Sequence, residues 1–153
     1  MRVIILCGIP GSGKTTLANQ MLGSFDGPFG LVSADQHMVD EQGYHFDFRR
    51  LGAAHGACLR EAARLLLDPQ CGIELLVVDN TNCAINEPAP YAELALAGGH
   101  ELRTLVVLCD PKVAVGRQVH GVEPAHVFHR HLQLMADYPR FPPRWNLEVV
   151  WND

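Results

Sequence analysis

The residues best suited to chemistry form a glycine-rich loop near the start of the sequence. Gly8 to Thr15 have the spacing G-x-x-x-x-G-K-T, and a helical pattern follows from Lys14 to Gly23. The backbone N–H groups of such a loop point at phosphate oxygens, and the helix N-terminus adds partial positive charge. Lys14 is expected to reach the β and γ phosphates, and the Thr15 hydroxyl to bind Mg²⁺. The loop predicts a nucleotide-binding site made of Gly8, Ile9, Pro10, Gly11, Ser12, Gly13, Lys14, Thr15 and Thr16.

Two carboxylates follow apolar runs, where the ligand crevice of an open parallel sheet lies. Asp35 comes after GLVSA (30–34) and can accept a hydroxyl proton while a γ-phosphate is attacked. An alternative is that Asp35 is a helix N-cap or a solvated loop residue. Asp79 ends IELLVVD (73–79), a position typical of the acidic residue near the metal in P-loop enzymes. We predict Asp35 as general base with His37 beside it at the acceptor site, and Asp79 as a metal ligand.

The three residues after this second carboxylate are Asn80, Thr81 and Asn82. They replace the D-x-x-G of a GTPase switch, and the sequence has no N-K-x-D guanine signature. Both absences argue against a GTPase. The three side chains can bind the substrate or hold Asp79 in place, and a polar turn at a strand end explains them equally well.

A candidate lid segment follows later in the chain. Arg117 begins RQVHGVEP between two helical patterns. A mobile segment carrying an arginine can close over phosphates and neutralise the charge of a transition state. We predict a lid near residues 117–125 with Arg117 as its catalytic arginine and Arg130 as a weaker second candidate. A surface arginine at a helix end is the alternative.

The histidines of this region do not indicate a metal site. Their spacing matches no common ligand signature, and no Cys or carboxylate cluster accompanies His120, His126, His129 and His131.

Strand and helix patterns alternate along the chain. Short apolar, β-branched runs predict strands at 3–7, 30–34, 73–79, 102–110 and 147–151. The patterns between them predict helices at 14–23, 48–68, 88–99, 111–119 and 123–138. Five strands separated by helices predict an α/β three-layer sandwich with a five-stranded parallel sheet. No linker or repeat interrupts the pattern, so we expect one domain over residues 1–153.

Composition narrows the class of protein. The formal net charge is −5, which weighs against a strong non-specific nucleic-acid binder. The only lysines are Lys14 and Lys112, and the other ten basic residues are Arg, which suits bidentate phosphate contacts. The five cysteines form no C-x-x-C pair, as expected of a reduced intracellular protein. MRVIILCGIP is expected to be a first strand, and no apolar run reaches membrane-spanning length. We expect a cytoplasmic protein with no membrane partner.

Six segments in a fixed order carry a family resemblance: GIPGSGKTTLA, VSAD, GYHFDFRRLGAAHGAC, VVDNTN, EPAPYAELALAGGHEL and RQVHGV. The sequence resembles the P-loop kinases that include polynucleotide 5'-hydroxyl kinases, and most closely the kinase-like domain of Nedd4-binding protein two and its stand-alone bacterial relatives. The resemblance covers about residues 1–135. It implies ATP and Mg²⁺ as cofactors, Asp35 as general base for a 5'-hydroxyl and Arg117 as lid arginine. It also implies an adenylate-kinase-like sandwich with strand order 2-3-1-4-5.

The sequence departs from that family on the acceptor side. Gln36 and His37 stand where the family often has a second Asp and a Tyr. Met38 stands where phage-type polynucleotide kinases have a phosphate-binding Arg, and Glu123 where the lid often has a Pro. The acceptor is therefore the part of the site with the weakest sequence support.

Three functions fit these residues. The first is an ATP-dependent kinase acting on a 5'-hydroxyl of DNA or RNA. The second is a small-molecule kinase for a sugar, nucleoside or sugar nucleotide, which the acidic net charge and Met38 favour. The third is a non-catalytic ATP-binding module, since a fold alone does not fix function. The sequence leaves the oligomeric state open.

Overall fold

The computed structural model describes residues 1–153 and contains seven strands. In chain order they are β1 (Arg2–Cys7), β2 (Phe29–Val32), β3 (Val39–Asp40), β4 (Gly43–Tyr44), β5 (Leu75–Asp79), β6 (Glu101–Leu108) and β7 (Leu147–Trp151). β3 and β4 form a small antiparallel hairpin. The other five form one parallel sheet in the order β2-β5-β1-β6-β7. Numbered among themselves, these five strands have the order 2-3-1-4-5.

Five helices connect the strands. They are α1 (Lys14–Gly23), α2 (Leu51–Leu67), α3 (Ala89–Ala97), α4 (Pro111–Arg117) and α5 (Pro124–Asp137). Four short 3-10 turns cover Ala34–Met38, Phe48–Arg50, Tyr138–Arg140 and Pro143–Trp145. None of the helices combines the length and the apolar composition needed to cross a membrane.

The strand residues alternate between the two faces of the sheet. Val3 and Ile5 of β1 belong to the larger core cluster, whereas Ile4 and Leu6 belong to the smaller one. The larger cluster contains buried residues of α2, α3 and α5, and the smaller cluster contains buried residues of α1. Because β1 has apolar residues on both faces, it requires helices on both sides, as parallel strands generally do. The predicted fold class is confirmed.

The structure differs from the prediction mainly at element ends. The helix predicted from residue 48 begins at Leu51, because Asp47 accepts a hydrogen bond from the Arg49 N–H and caps a 3-10 turn first. The strand predicted over 30–34 ends at Val32, because Ser33 caps the 3-10 turn that carries Asp35. The β3–β4 hairpin was not predicted, since two-residue strands have no detectable periodicity.

All five strands of the sheet end at the same edge because they are parallel. The glycine-rich loop follows β1, the turn with Asp35 follows β2, and Asp79 is the last residue of β5. The sheet therefore brings the three predicted parts of the site to one edge.

Candidate active site

The glycine-rich loop connects β1 to α1 along a path that side chains would block. Gly11 and Gly13 have φ angles of 82° and 94°, in the region that favours glycine. A Cβ on Gly8 would lie 2.7 Å from Ser12 Oγ, and a Cβ on Gly11 would collide with the Ala114 carbonyl. No side chain caps the N-terminus of α1, so the first N–H groups of this helix have no side-chain acceptor. The loop and the uncapped helix end fit an anion such as a nucleotide phosphate.

Lys14 is buried, with 8% of its surface exposed. Its Nζ donates to the Ile9 carbonyl at 2.9 Å and lies 3.4 Å from Ser12 Oγ. Burial is the main cause that lowers the Lys14 pKa, and the nearby carboxylate of Asp79 opposes this shift. Since its hydrogen-bond partners are neutral oxygens, the ammonium group has the chemistry to bind an anion.

The two predicted metal ligands are in direct contact. The Thr15 hydroxyl donates to Asp79 Oδ2 at 2.8 Å. Burial raises the Asp79 pKa, and the hydrogen bond from Thr15 partly opposes this. A hydroxyl and a carboxylate oxygen are hard donors of the kind that Mg²⁺ prefers, so this pair fits the implied ion. No group of three or more His, Cys, Asp or Glu side chains is arranged to hold a metal ion.

The three polar residues after Asp79 bind groups within the protein. Asn80 Oδ1 accepts from the Ala34 N–H at 2.8 Å, and so fixes the turn that carries Asp35. Asn82 has a φ of 47° and donates to the Leu6 carbonyl at 2.8 Å. The Thr81 carbonyl accepts from the Gly8 N–H at 2.7 Å. The turn therefore joins β5 to the phosphate loop and to the Asp35 segment. Substrate contact by these residues stays a prediction.

Asp35 is an exposed residue of the 3-10 turn Ala34–Met38, and its carboxylate contacts two other segments. Tyr44 Oη donates to Asp35 Oδ1 at 3.2 Å, and His120 Nε2 lies 3.7 Å from Asp35 Oδ2. Burial lowers the pKa of Lys14 and raises the pKa of Asp79, and the charge of Asp35 adds a minor upward contribution to the pKa of each. The three predicted charged residues thus lie within electrostatic range of one another.

His37, Arg49 and Arg50 are exposed at the protein surface, and the two arginines belong to the 3-10 turn Phe48–Arg50. The exposed His37 shares the turn of Asp35, and its carbonyl accepts from the Arg50 guanidinium at 3.1 Å. Arg49 pairs with Asp47 at 3.2 Å. Acceptor contact by His37 stays a prediction.

Arg117 ends α4 and is exposed. Its guanidinium donates to the Asn152 carbonyl at 2.8 Å. It borders a cleft of about 400 Å³ that also includes Gly13, Thr16 and Trp151. Its predicted closure over the phosphates would require this bond to a neutral carbonyl to break.

Arg130, the second arginine candidate, is engaged within the protein. It pairs with Glu87 at 2.6 Å and donates to Thr81 Oγ1 at 2.9 Å. These bonds tie α5 to the turn after β5.

Three site residues were missed in the sequence. Tyr44 and His120 contact Asp35 from separate segments, and Asn152 Nδ2 donates to the Ser12 carbonyl of the phosphate loop at 2.8 Å. Tyr44 lies in GYHFDFRRLGAAHGAC and His120 in RQVHGV, two segments of the family resemblance, and these were the available signals. No local pattern identified Asn152, because its partner is distant in sequence.

The parallel sheet, the phosphate loop and the Thr15–Asp79 pair define a P-loop nucleotide-binding protein with a kinase-like fold. The chain belongs to the AAA domain family, whose model matches residues 3–139. This supports the resemblance to P-loop kinases. The finer relation to Nedd4-binding protein two stays a prediction.

Three solved structures have a similar fold. One is a chain in the structure of the Pnkp1/Rnl/Hen1 RNA repair complex, which has 16% sequence identity to this chain and a TM-score of 0.69. The match covers 92% of this chain and 46% of the chain in the complex. The second is Kti12 from Chaetomium thermophilum in complex with ADP-AlF3, with 16% identity and a TM-score of 0.62. The match covers 99% of this chain and 89% of Kti12. The third is a gluconokinase from Sinorhizobium meliloti 1021, with 16% identity and a TM-score of 0.65. The match covers 98% of this chain and 82% of the gluconokinase.

At this identity the similarity shows the fold alone. The chain spans about half the length of the chain that it matches in the RNA repair complex. One of these structures is named as a gluconokinase and another as an RNA repair complex. The comparisons therefore leave the acceptor of this protein to be argued from its own residues.

Proposed function

We propose that this protein is an ATP- and Mg²⁺-dependent kinase that transfers the γ-phosphate to the 5'-hydroxyl of DNA or RNA. The observation that carries the proposal is the placement of Lys14, the Thr15–Asp79 pair and Asp35 at one edge of the sheet. This edge holds a phosphate-binding loop, a pair of hard oxygen donors and an exposed carboxylate. Those are the parts that phosphoryl transfer to a hydroxyl requires.

Each residue has a defined part in the proposed reaction. When bound, MgATP supplies the phosphoryl group, and the metal neutralises charge on the phosphate oxygens. Thr15 and Asp79 would hold the ion, and Lys14 would bind the phosphates. Asp35 would accept the proton of the acceptor hydroxyl. Arg117 would leave the Asn152 carbonyl and add positive charge near the transferred group.

The segment that begins at Tyr44 favours an acceptor with bases. Tyr44 is followed by Phe46 and Phe48, whose exposures are 50% and 77%. Exposed aromatic side chains can stack nucleobases without sequence preference. Arg49 and Arg50 come next in the chain and are exposed.

A small-molecule kinase is the second candidate. The net charge of −5 does not favour a polyanionic acceptor, and Met38 is buried at 1% exposure, so it offers no contact to an acceptor phosphate. A sugar or nucleoside carries no phosphate, so it would need neither a positively charged surface nor a phosphate contact at position 38.

A non-catalytic ATP-binding module is the third candidate. A cytoplasmic location is also a proposal; it agrees with five cysteines that are all free.

The decisive experiment offers γ-labelled ATP and Mg²⁺ with three acceptors: a 5'-hydroxyl DNA oligonucleotide, a matched RNA, and a pool of nucleosides and sugars. Asp35→Asn is assayed alongside the wild type. Asp40→Asn is the matched control, because Asp40 is a nearby exposed carboxylate on the β3–β4 hairpin that pairs with His45 at 3.5 Å.

We expect label on an oligonucleotide end, a loss of roughly 10²- to 10⁴-fold in Asp35→Asn, and little change in Asp40→Asn. Label in the small-molecule pool alone would replace the nucleic-acid acceptor by a metabolite. ATP binding with no labelled acceptor would favour the binding module. Full activity of Asp35→Asn would remove Asp35 as the base.

A further inference from the structure

The two oxygens of the Asp35 carboxylate lie in different environments. Oδ1 accepts a hydrogen bond from the Tyr44 hydroxyl at 3.2 Å. Oδ2 lies 3.7 Å from His120 Nε2, beyond a normal hydrogen bond. Tyr44 belongs to β4 and His120 to the segment after α4, yet their rings are 4.4 Å apart between centroids. One oxygen is therefore bound, and the other faces a group with which it makes only a loose contact.

The backbone and the side chain of Asp35 are held by different groups. Hydrogen bonds from the Ala34 N–H to Asn80 and from the Asp35 N–H to Ser33 fix the backbone of the turn. Neither bond restrains the carboxylate, whose side chain is 55% exposed. The Tyr44 hydroxyl is the group at hydrogen-bond distance that holds the orientation of the carboxylate.

The state of the Tyr44 hydroxyl agrees with this arrangement. Burial, followed by the negative charge of Asp35, raises the pKa of Tyr44 to about 12. The hydroxyl is thus protonated at neutral pH and can act as a donor to the carboxylate.

We infer that Tyr44 is the positioning residue of Asp35: its hydroxyl holds Oδ1, so that Oδ2 is the oxygen presented to the acceptor hydroxyl. This inference rests on the proposed role of Asp35 as general base. As the acceptor oxygen bonds to the γ-phosphorus, its O–H bond breaks and the proton passes to Oδ2. The bond from the γ-phosphorus to the β–γ bridging oxygen breaks, and its electron pair leaves with ADP. Tyr44 keeps its own proton, and His120 moves away from Oδ2 to admit the acceptor.

The test compares Tyr44→Phe with the wild type in the labelled-ATP assay. The substitution removes the hydroxyl and keeps the ring that contacts His120. A hydrogen bond to a charged group corresponds to roughly a ten- to hundredfold effect, so we expect kcat to fall by that factor while the KM for ATP is unchanged. Tyr138→Phe is the matched control, since Tyr138 lies on the 3-10 turn after α5.

The same substitution is then made in Asp35→Asn, with rates taken from long incubations. If Tyr44 acts through the carboxylate, Tyr44→Phe should cause little further loss in that background, because the two effects are coupled. An equal further loss would indicate a structural role and overturn the inference.

The outcomes separate the inference from the proposed function. If Asp35→Asn is inactive and Tyr44→Phe is as fast as the wild type, the inference is overturned and the base assignment stands. If Asp35→Asn is fully active, the base assignment is wrong and the inference is overturned with it.

Discussion

Lys14 and Asp79 carry opposite charges at buried positions of the candidate site, with exposures of 8% and 7%. Burial lowers the pKa of Lys14 and raises the pKa of Asp79. Both directions mean that folding favours the neutral form of the group. The charged forms therefore reduce the free energy of unfolding in the free protein, and ligands that pair with them would offset that cost.

For Lys14→Met we expect ATP affinity to fall by at least about tenfold, because a charge-assisted contact to phosphate is lost. The free protein should be at least as stable as the wild type, since the cost of burying an ammonium group is removed. Calorimetric titration and thermal unfolding measure both quantities. Lys112→Met, at the exposed lysine, is the control. Unchanged ATP affinity in Lys14→Met would contradict the assigned role.

Tyr44 gives a prediction about alkaline pH. Its pKa is raised from 10.0 to about 12, so the folded state binds the phenol proton more tightly than the unfolded chain does. The stability that this provides is complete below pH 10 and is lost as the pH rises toward 12. The difference in urea midpoint between wild type and Tyr44→Phe should therefore shrink from about pH 8 to about pH 11. A constant difference would show that folding does not raise the pKa of Tyr44.

At the scale of elements, the end of β7 braces the phosphate loop. The Asn152 N–H donates to the carbonyl of Leu108, the last residue of β6, at 2.8 Å. Its side chain donates to the Ser12 carbonyl, and its own carbonyl accepts from Arg117 of α4. One residue thus connects β6, α4 and the loop. The shape of the loop depends on packing against β7 as well as on its glycines.

Substitution of two glycines distinguishes the effect of packing against β7 from the effect of backbone strain at a glycine. Gly13 and Gly99 both have positive φ, but a Cβ on Gly13 would collide with the Asn152 amide, whereas a Cβ on Gly99 meets nothing within 4 Å. Gly99→Ala should cost about 1 kcal/mol of backbone strain and leave ATP affinity unchanged. Gly13→Ala should cost more and weaken ATP binding strongly. Urea unfolding and ATP titration of both variants provide the comparison. Equal effects in the two would show that the β7 contact does not shape the loop.

At the scale of the whole molecule, the protein and the proposed nucleic-acid acceptor both carry net negative charge and therefore repel each other. The chain carries −5, so a nucleic-acid end must be attracted by local groups at the sheet edge. Such local contacts with phosphates displace counterions, whereas contacts with a neutral sugar do not.

Salt dependence therefore distinguishes the two acceptor classes. With two or three phosphate contacts, the KM for an oligonucleotide should rise roughly tenfold between about 50 and about 200 mM salt, while the KM for ATP in the same assay serves as the control. A metabolite acceptor should show a much smaller change. A flat oligonucleotide KM would contradict phosphate recognition by this surface.

The sequence predicts the sheet and the phosphate loop because both depend on local patterns. β1 and β5 are apolar on both faces, and the glycine spacing is a contiguous motif. The roles of Asn80 and Asn152 could not be predicted, since their partners Ala34 and Ser12 lie 46 and 140 residues away. The role of Tyr44 could not be predicted either, because only the position of the β3–β4 hairpin places its hydroxyl beside Asp35.

The contact between Ser12 and Asn152 spans 140 residues of sequence, and this affects the order of events during synthesis. The loop is synthesised well before the strand that braces it, which begins at Leu147. A nascent chain that already contains the whole glycine motif still lacks this brace. Competence to bind nucleotide should therefore arise only after β7 has been synthesised and has joined the sheet.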